Sequence, residues 1–438
     1  MNVIQFKDKD YAEQLARLTA PSSLFDPTIE EQTRNIVEAV HHHGDTALLE
    51  LTERFQGAKL QADQLQITQS EMLAASLKAD KALRAALADT SKNVSNFARK
   101  SMRKNWSMKN SHGAVVGEKF DPFTRVGVYI PGGMAPLVST ALMTIPMAKV
   151  AGCKEIVVCT PCNKDGEVNP ALLFAAKTAG ATEIYRVGGA QSIAAMALGT
   201  PTIKRVQKIF GPGNAYVVAA KRLLYGYVAM DLLPGPSELL VLADDSAVPA
   251  FVAADLLAQA EHGSGYERVW LITTSSKLIQ AVSKEIERQL PGCGRRELIE
   301  RVLGRSTYLI QVKDWTDGIA LANQLAPEHC EVAVRNPSKL VSQLLTAGAI
   351  FIGNNSPTVL GDYVAGPSHT LPTGGAGTSF PGLSVDQFQR RTSLVEYSRE
   401  ALKASLPSVR TFAAMEGLDA HGKSAEIRLQ PTKKGPRK

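Results

Sequence analysis

The chain has 438 residues, 44% hydrophobic, 21% charged and 6% aromatic, the balance of an ordinary soluble globular protein with room for two or three domains. No stretch approaches the ~18 uninterrupted apolar residues of a membrane helix. The opening MNVIQFKDKDYAEQ sets charges where a secretory signal needs its apolar segment, so the expectation is a cytoplasmic protein with no membrane partner. Part of the net charge of +7 sits in Lys433, Lys434, Arg437 and Lys438 beside Pro431, Gly435 and Pro436. The remaining bases form no stripe interleaved with aromatics, and nucleic acid is not an expected partner.

From about residue 27 to 104, apolar residues recur at three and four positions with few turn residues between them, the pattern of helices. The triplet His41-His42-His43 closes one such helix before Gly44 and reads as cationic side chains at a helix terminus, not as a metal cluster. From about 125 the texture changes, with RVGVYI, EIVVCT, EIYRVGG and VQKIFG each followed by an Ala/Leu-rich helical stretch. A second series follows in ELLVLAD, RVWLITT, STYLIQV, CEVAV and AIFIGN. This alternation predicts βαβ units and parallel sheets in two α/β halves, with no residue-level repeat between them. Beyond about 380 the sequence reads as helical again and closes as an appended arm, YSREALKASLPSVRTFAAMEGLDAH and a short last strand or coil. The expected partition is an N-terminal arm over 1–24, a first α/β domain from 25–128 together with 239–379, a second α/β domain over 129–238, and a C-terminal arm over 380–438.

The five cysteines, an odd number without framework spacing, fit a reducing compartment. Cys159 and Cys162 form a C-x-x-C that follows the apolar run Ile156-Val157-Val158 and has no second pair to complete a zinc site, so it reads as a strand-to-loop turn. Glycine-rich loops stand at expected carboxyl ends of strands, where ligands of open α/β sheets gather: Gly132-Gly133, Gly188-Gly189 and Gly211-Pro212-Gly213-Asn214. Each suits close approach of a cofactor or phosphate. None is a G-x-G-x-x-G fingerprint, so on pattern alone a nicotinamide cofactor is one of several options.

Of eight histidines, His262, His329, His369 and His421 lie in loop-edge or helix-end contexts beside acids. Gln259 and His262 are three apart in FVAADLLAQAEH and project from one helical face. Asp362, in GDYVAGPSH, offers a carboxylate oxygen and His421 a further nitrogen, a donor mix that zinc accepts. Spacing alone selects His262 and Asp362 and would not select a neutral amide. Glu328 and His329, adjacent before CEVAV, place two proton acceptors of different basicity at one loop, as successive deprotonations of an alcohol and a water require.

RVGVYIPGG, VGGAQSIAA, KIFGPGNAYV, GPSELLVLAD, DLLAQAEH, APEH, GDYVAGPSHTLPTGG and LDAH, in this order, resemble the histidinol dehydrogenases from about residue 30 to the end of the C-terminal arm. The resemblance implies two incomplete Rossmann-like domains with parallel sheets, N- and C-terminal helical arms and a domain-swapped homodimer. It implies one zinc per subunit at Gln259, His262, Asp362 and His421, with His421 from the partner subunit's arm. Ser237, His329 and Glu416 match further contacts to the substrate L-histidinol, which the zinc-ligand positions also meet, and Glu416 too is expected from the partner's arm. Tyr129, Gln191 and Asn214 match NAD contacts. His329 matches the base for the alcohol and Glu328 the base that activates water for the aldehyde. Cys330, beside this pair, reads as packing. The chain departs from the family at Pro234, Thr358 and Ser368, where Ala, an acid and Asn are usual. These rim positions leave a related zinc- and NAD-linked dehydrogenase of another small alcohol, such as a sulfonated propanediol, as the alternative.

Overall fold

The computed structural model describes residues 1–20, 26–132, 137–262 and 264–430, so Gly133 and the basic tail from Pro431 lie outside the described residues. It divides into two units, one of residues 1–101 with 123–388, the other of 102–122 with the chain from Gln389 onward. In chain order the strands are β1 (Asn2–Gln5), β2 (Trp106–Lys109), β3 (Val115–Pro122), β4 (Arg125–Tyr129), β5 (Glu155–Cys159), β6 (Glu183–Tyr185), β7 (Lys208–Phe210), β8 (Ala229–Met230), β9 (Glu238–Ala243), β10 (Arg268–Thr273), β11 (Thr307–Gln311), β12 (His329–Ala333), β13 (Ala349–Ile352) and β14 (Gln389–Glu396).

The first unit holds two parallel sheets, ordered β6-β5-β4-β7-β8 and β1-β11-β10-β9-β12-β13. Apart from β1, both carry the same winding, in which the third, second, first, fourth and fifth strands of a series lie side by side. The expected α/β architecture is therefore present twice. Such sheets are covered on both faces, which is why their strands read as near-continuous apolar runs. In β9, Leu239 and Val241 enter one core with the helices Pro249–Ala260, Ser276–Gln289 and Arg296–Ser306. Leu240 and Leu242, displaced by one residue, enter the opposite core beside Trp270, Ile310 and the helix Trp315–Leu325.

The N-terminal residues pair with β11 as an edge strand, so the first segment is part of this sheet. The helices Pro27–His43 and Asp45–Gln56 pack on Gly189–Leu198, and Gln69–Lys78 and Lys81–Ser101 pack on Pro170–Ala179 and Val138–Ala151. They cover the five-stranded sheet. Ile36, Val40, Leu48 and Leu51 share a core with Tyr129, Val157 and Tyr185, and this apolar complementarity decides the pairing.

The second unit is an antiparallel sheet, β14-β3-β2, with the helices Arg399–Met415 and Asp419–Glu426. Arg410 pairs with Glu426, and Arg399 donates to the carbonyls of Arg428 and Leu429. The expectation that the chain turns helical beyond about 380 is corrected here: QRRTSLVE is a strand. It is polar and mostly exposed, so no two-residue apolar period marks it. After Asp419–Glu426 comes a short turn, Ile427–Leu429, in place of the expected strand or coil. Among the described residues, no helix is long and apolar enough to cross a membrane.

Candidate active site

In the five-stranded sheet the strand order reverses between β4 and β7, the place where open α/β sheets open a crevice at their carboxyl ends. Tyr129 ends β4, Gln191 stands in the first turn of Gly189–Leu198 after β6, and Asn214 precedes Ala215–Leu224 after β7. Thus the three residues expected to touch NAD are gathered at one edge. The Tyr129 hydroxyl accepts from the Gly189 N–H at 3.3 Å, and burial pushes its phenol up to about 12, so it donates and accepts hydrogen bonds without ionising. Asn214 caps its helix by accepting from the N–H groups of Tyr216 and Val217, each at 3.1 Å. Gly211, at φ +110°, lets the loop after β7 lie against β4, since a Cβ there would stand 2.0 Å from the Tyr129 carbonyl oxygen.

That loop is clamped from below. Lys221, on the inner face of Ala215–Leu224, donates to the Gly211 carbonyl, to Asp231 at 2.6 Å and to the Leu232 carbonyl at 3.3 Å. The second oxygen of Asp231 accepts from the Gly211 N–H at 2.7 Å. Both side chains are withdrawn from water, with exposures of 1% and 0%.

The second cluster lies at the opposite, amino edge of the six-stranded sheet. Glu328 and His329 sit where β12 begins, Ser237 immediately before β9, and Gln259 in the last turn of Pro249–Ala260, whose carboxyl end runs back to this edge. The Nδ1 of His329 is 3.0 Å from the Glu238 carbonyl oxygen. A carbonyl only accepts, so Nδ1 carries the hydrogen and Nε2 is left as the basic nitrogen. Burial holds this imidazole down to about 3, with His262 and His369 adding repulsion and the Glu238 carbonyl opposing.

Glu328 stands 3.5 Å from the same Nδ1 and accepts from the Glu238 N–H at 2.9 Å. Burial raises its carboxyl well above the usual range, with Glu238 and Asp362 as negative neighbours; the Glu238 N–H and the Ser237 hydroxyl oppose the shift. Burial thus works against charge on both groups, favouring the neutral carboxyl of Glu328 and the free-base imidazole of His329.

Gln259 is buried, and its Nε2 lies 3.5 Å from Nδ1 of His262. His262 stands beyond the helix, which ends at Ala260, so the pair meets across a turn and not along a continuous helical face. Asp362 lies on Val359–Tyr363, with its Oδ1 3.8 Å from Nδ1 of His369. Burial raises Asp362, and the charge of His262 opposes that. Gly361 brings this helix onto the Phe351 ring, 2.6 Å from where a Cβ would stand, and Phe351 in turn packs 6.0 Å from the His329 ring.

Among the described residues, no three His, Cys, Asp or Glu side chains gather to hold a metal by themselves. Imidazole nitrogen and carboxylate oxygen from His262 and Asp362 nevertheless match the donor types zinc takes, with the Gln259 amide as a neutral neighbour, and zinc sites commonly keep a position for substrate. Glu416 and His421 belong to the second unit, both exposed, at the end of Arg399–Met415 and on Asp419–Glu426.

His369 is the site residue to which sequence reasoning gave no role. Burial lowers it to about 4, its hydrogen bond to the Asp362 backbone opposing, and only its nearness to an acid in GDYVAGPSH hinted at this place. Glu238, buried against Arg268 and accepting from the Gly374 N–H at 3.1 Å, was equally hidden inside an apolar strand. Cys330 packs among Leu240, Leu242 and Val332, and burial pushes its thiol up to about 12, so it is a core residue. Cys159 and Cys162 are free thiols, the first inside the core and the second against Gln56.

The sequence profile of the family described as histidinol dehydrogenase matches residues 21–429. A histidinol dehydrogenase of Synechococcus sp. is 45% identical over 401 residues, covering 92% of each chain. One from Geobacillus kaustophilus is 44% identical and covers 92% of this chain and 95% of its own. The crystal structure of histidinol dehydrogenase from Elizabethkingia anophelis superposes with a TM-score of 0.93 at 34% identity, over 98% of each chain. With its duplicated parallel sheets and its Glu328-His329 pair, the chain belongs to the histidinol dehydrogenase family.

Proposed function

We propose that the protein oxidises L-histidinol to L-histidine through the aldehyde, in two NAD-linked steps at the amino edge of the six-stranded sheet. The observation that carries this reading is the pairing of two buried proton acceptors at the start of β12: Glu328 lies 3.5 Å from Nδ1 of His329, and that nitrogen is turned to the Glu238 carbonyl, which leaves Nε2 for the substrate. When bound, zinc would hold the amino and imidazole nitrogens of the substrate at Gln259, His262, Asp362 and His421, and NAD, at Tyr129, Gln191 and Asn214, would accept hydride. Nε2 of His329 takes the proton of the substrate hydroxyl as the alcohol becomes aldehyde. Glu328, in its ionised form, takes a proton from water as the oxygen adds to the aldehyde carbon, and the hydrate so formed would give its hydride to the second NAD as it becomes the acid. Ser237 hydrogen-bonds Glu328 through its hydroxyl and would contact the same substrate.

In this reading His421 and Glu416 come from a second copy in a domain-swapped homodimer. Phe412, Met415, Leu418 and Ile427, large apolar side chains exposed on the same arm, support it, because apolar side chains left in water are suited to a covered face. His421→Asn is expected to weaken zinc affinity by at least about tenfold, read by competition with a chelating dye; unchanged affinity would remove His421 from the metal site.

The pH dependence follows from the two shifts. His329 is free base throughout the working range, while Glu328 ionises only as pH rises through its elevated value, so aldehyde oxidation is expected to gain rate with pH more than alcohol oxidation does. Substrate choice is tested by comparing L-histidinol with a dihydroxypropane sulfonate on the zinc-loaded enzyme. Turnover of the sulfonate and none of histidinol would overturn the proposal.

A further inference from the structure

Glu331 is two residues beyond His329 on β12 and so lies on the same face of the sheet. Its Oε1 accepts from both the N–H and the hydroxyl of Thr358, at 2.7 and 2.6 Å. Its carboxyl is also hydrogen-bonded to that of Asp255. Asp255 precedes Gln259 by four residues on Pro249–Ala260 and faces the same way. Thr358 precedes Asp362 by four at the start of Val359–Tyr363 and uses its hydroxyl on Glu331, not as a cap for its own helix. One hydrogen-bonded cluster thus lies a single pleat or helical turn from each of His329, Gln259 and Asp362.

Glu331 and Thr358 are buried, with exposures of 5% and 6%. Two carboxyl groups in contact cannot both ionise at such a place, so they share one proton and Asp255 donates it. Burial, with Glu331 beside it, pushes Asp255 up to about 8, in agreement with that arrangement.

We infer that Asp255, Glu331 and Thr358 are positioning residues whose shared hydrogen bonds set Gln259, His329 and Asp362 relative to one another, joining two helices and a strand that have no covalent reason to keep register. The inference rests on the proposed function, since it concerns the same site. None of the three is assigned contact with substrate, metal or cofactor.

The test uses four variants of the full-length protein. Thr358→Val and Asp255→Leu remove the hydrogen bonds at similar volume, whereas Thr358→Ser and Asp255→Asn keep a hydroxyl and a neutral donor toward Glu331. Zinc affinity of the apoprotein, by chelator competition, is expected to fall about 10–100-fold in the first two and to stay within about threefold in the second two. The KM for histidinol should follow the same split. Equal affinity in Thr358→Val and wild type overturns the inference, as does an equal loss in Thr358→Ser and Thr358→Val, which would make the position one of packing alone. If wild type itself binds no zinc and turns over no histidinol, the functional reading fails and the inference falls with it; wild-type activity with unaffected variants overturns the inference alone.

Discussion

Glu328→Gln is expected to slow oxidation of the aldehyde by about 10²–10⁴-fold, the usual contribution of a positioned general base, while alcohol oxidation falls far less. The amide keeps the acceptor oxygen for the Glu238 N–H, and with it the local geometry, but can take no proton from water. The two half-reactions are separated by supplying histidinol or histidinal in single-turnover experiments and following NADH. The variant should also lose the rise of the aldehyde step with pH, because its titrating group is gone. Equal loss in both half-reactions would transfer the role elsewhere. His329, whose Nδ1 hydrogen is committed to the Glu238 carbonyl, would then be the only base of the pair left for both steps.

Lys221→Met is expected to destabilise the protein by about 3–5 kcal/mol, the cost of leaving a buried charge without its partner. Asp231 would keep its bond from the Gly211 N–H but lose the ammonium that neutralises it. Replacing both members, Lys221→Met with Asp231→Leu, should recover much of that loss, because the desolvation cost of two ions is then removed together. The urea midpoint gives the stability change. The loop after β7, freed from the ammonium that joins the Gly211 and Leu232 carbonyls, should bind NAD more weakly in the single variant. A loss below about 1 kcal/mol in the single variant would mean that water reaches Asp231 and that the clamp is not closed.

Strands buried on both faces were the most legible part of this sequence. RVGVYI, EIVVCT, ELLVLAD and RVWLITT are continuous apolar runs that correspond to β4, β5, β9 and β10 within a residue at each end. By contrast β14 and β2, exposed along most of their length, carry no such signal, and the whole antiparallel sheet went unread. Periodicity identified the helices between Pro27 and Ser101 but not the sheet they cover, since an apolar face does not name its partner.

The site divides in the same way. Glu328, His329, His262 and Asp362 were visible because the chain has only eight histidines and these stand beside acids at loop edges or helix ends. Gln259 entered only through the family resemblance, because a neutral amide in an apolar helix looks like any core-edge residue. The amino-edge location was also invisible. Carboxyl ends of strands are the usual place for ligands, and the glycine-rich loops obey that rule, while the acid–base pair lies at the start of β12. The link from Asp255 through Glu331 to Thr358 joins residues about a hundred positions apart and exists only once the sheet has formed.

The central claim is that one site performs two consecutive oxidations. The most direct measurement is the stoichiometry of NADH formed per L-histidinol consumed by the zinc-loaded enzyme, with the product identified by NMR. About two NADH per histidinol and L-histidine as product are expected, in line with one proton acceptor for each step. One NADH with the aldehyde accumulating would contradict it, since Glu328 would then have no water to activate.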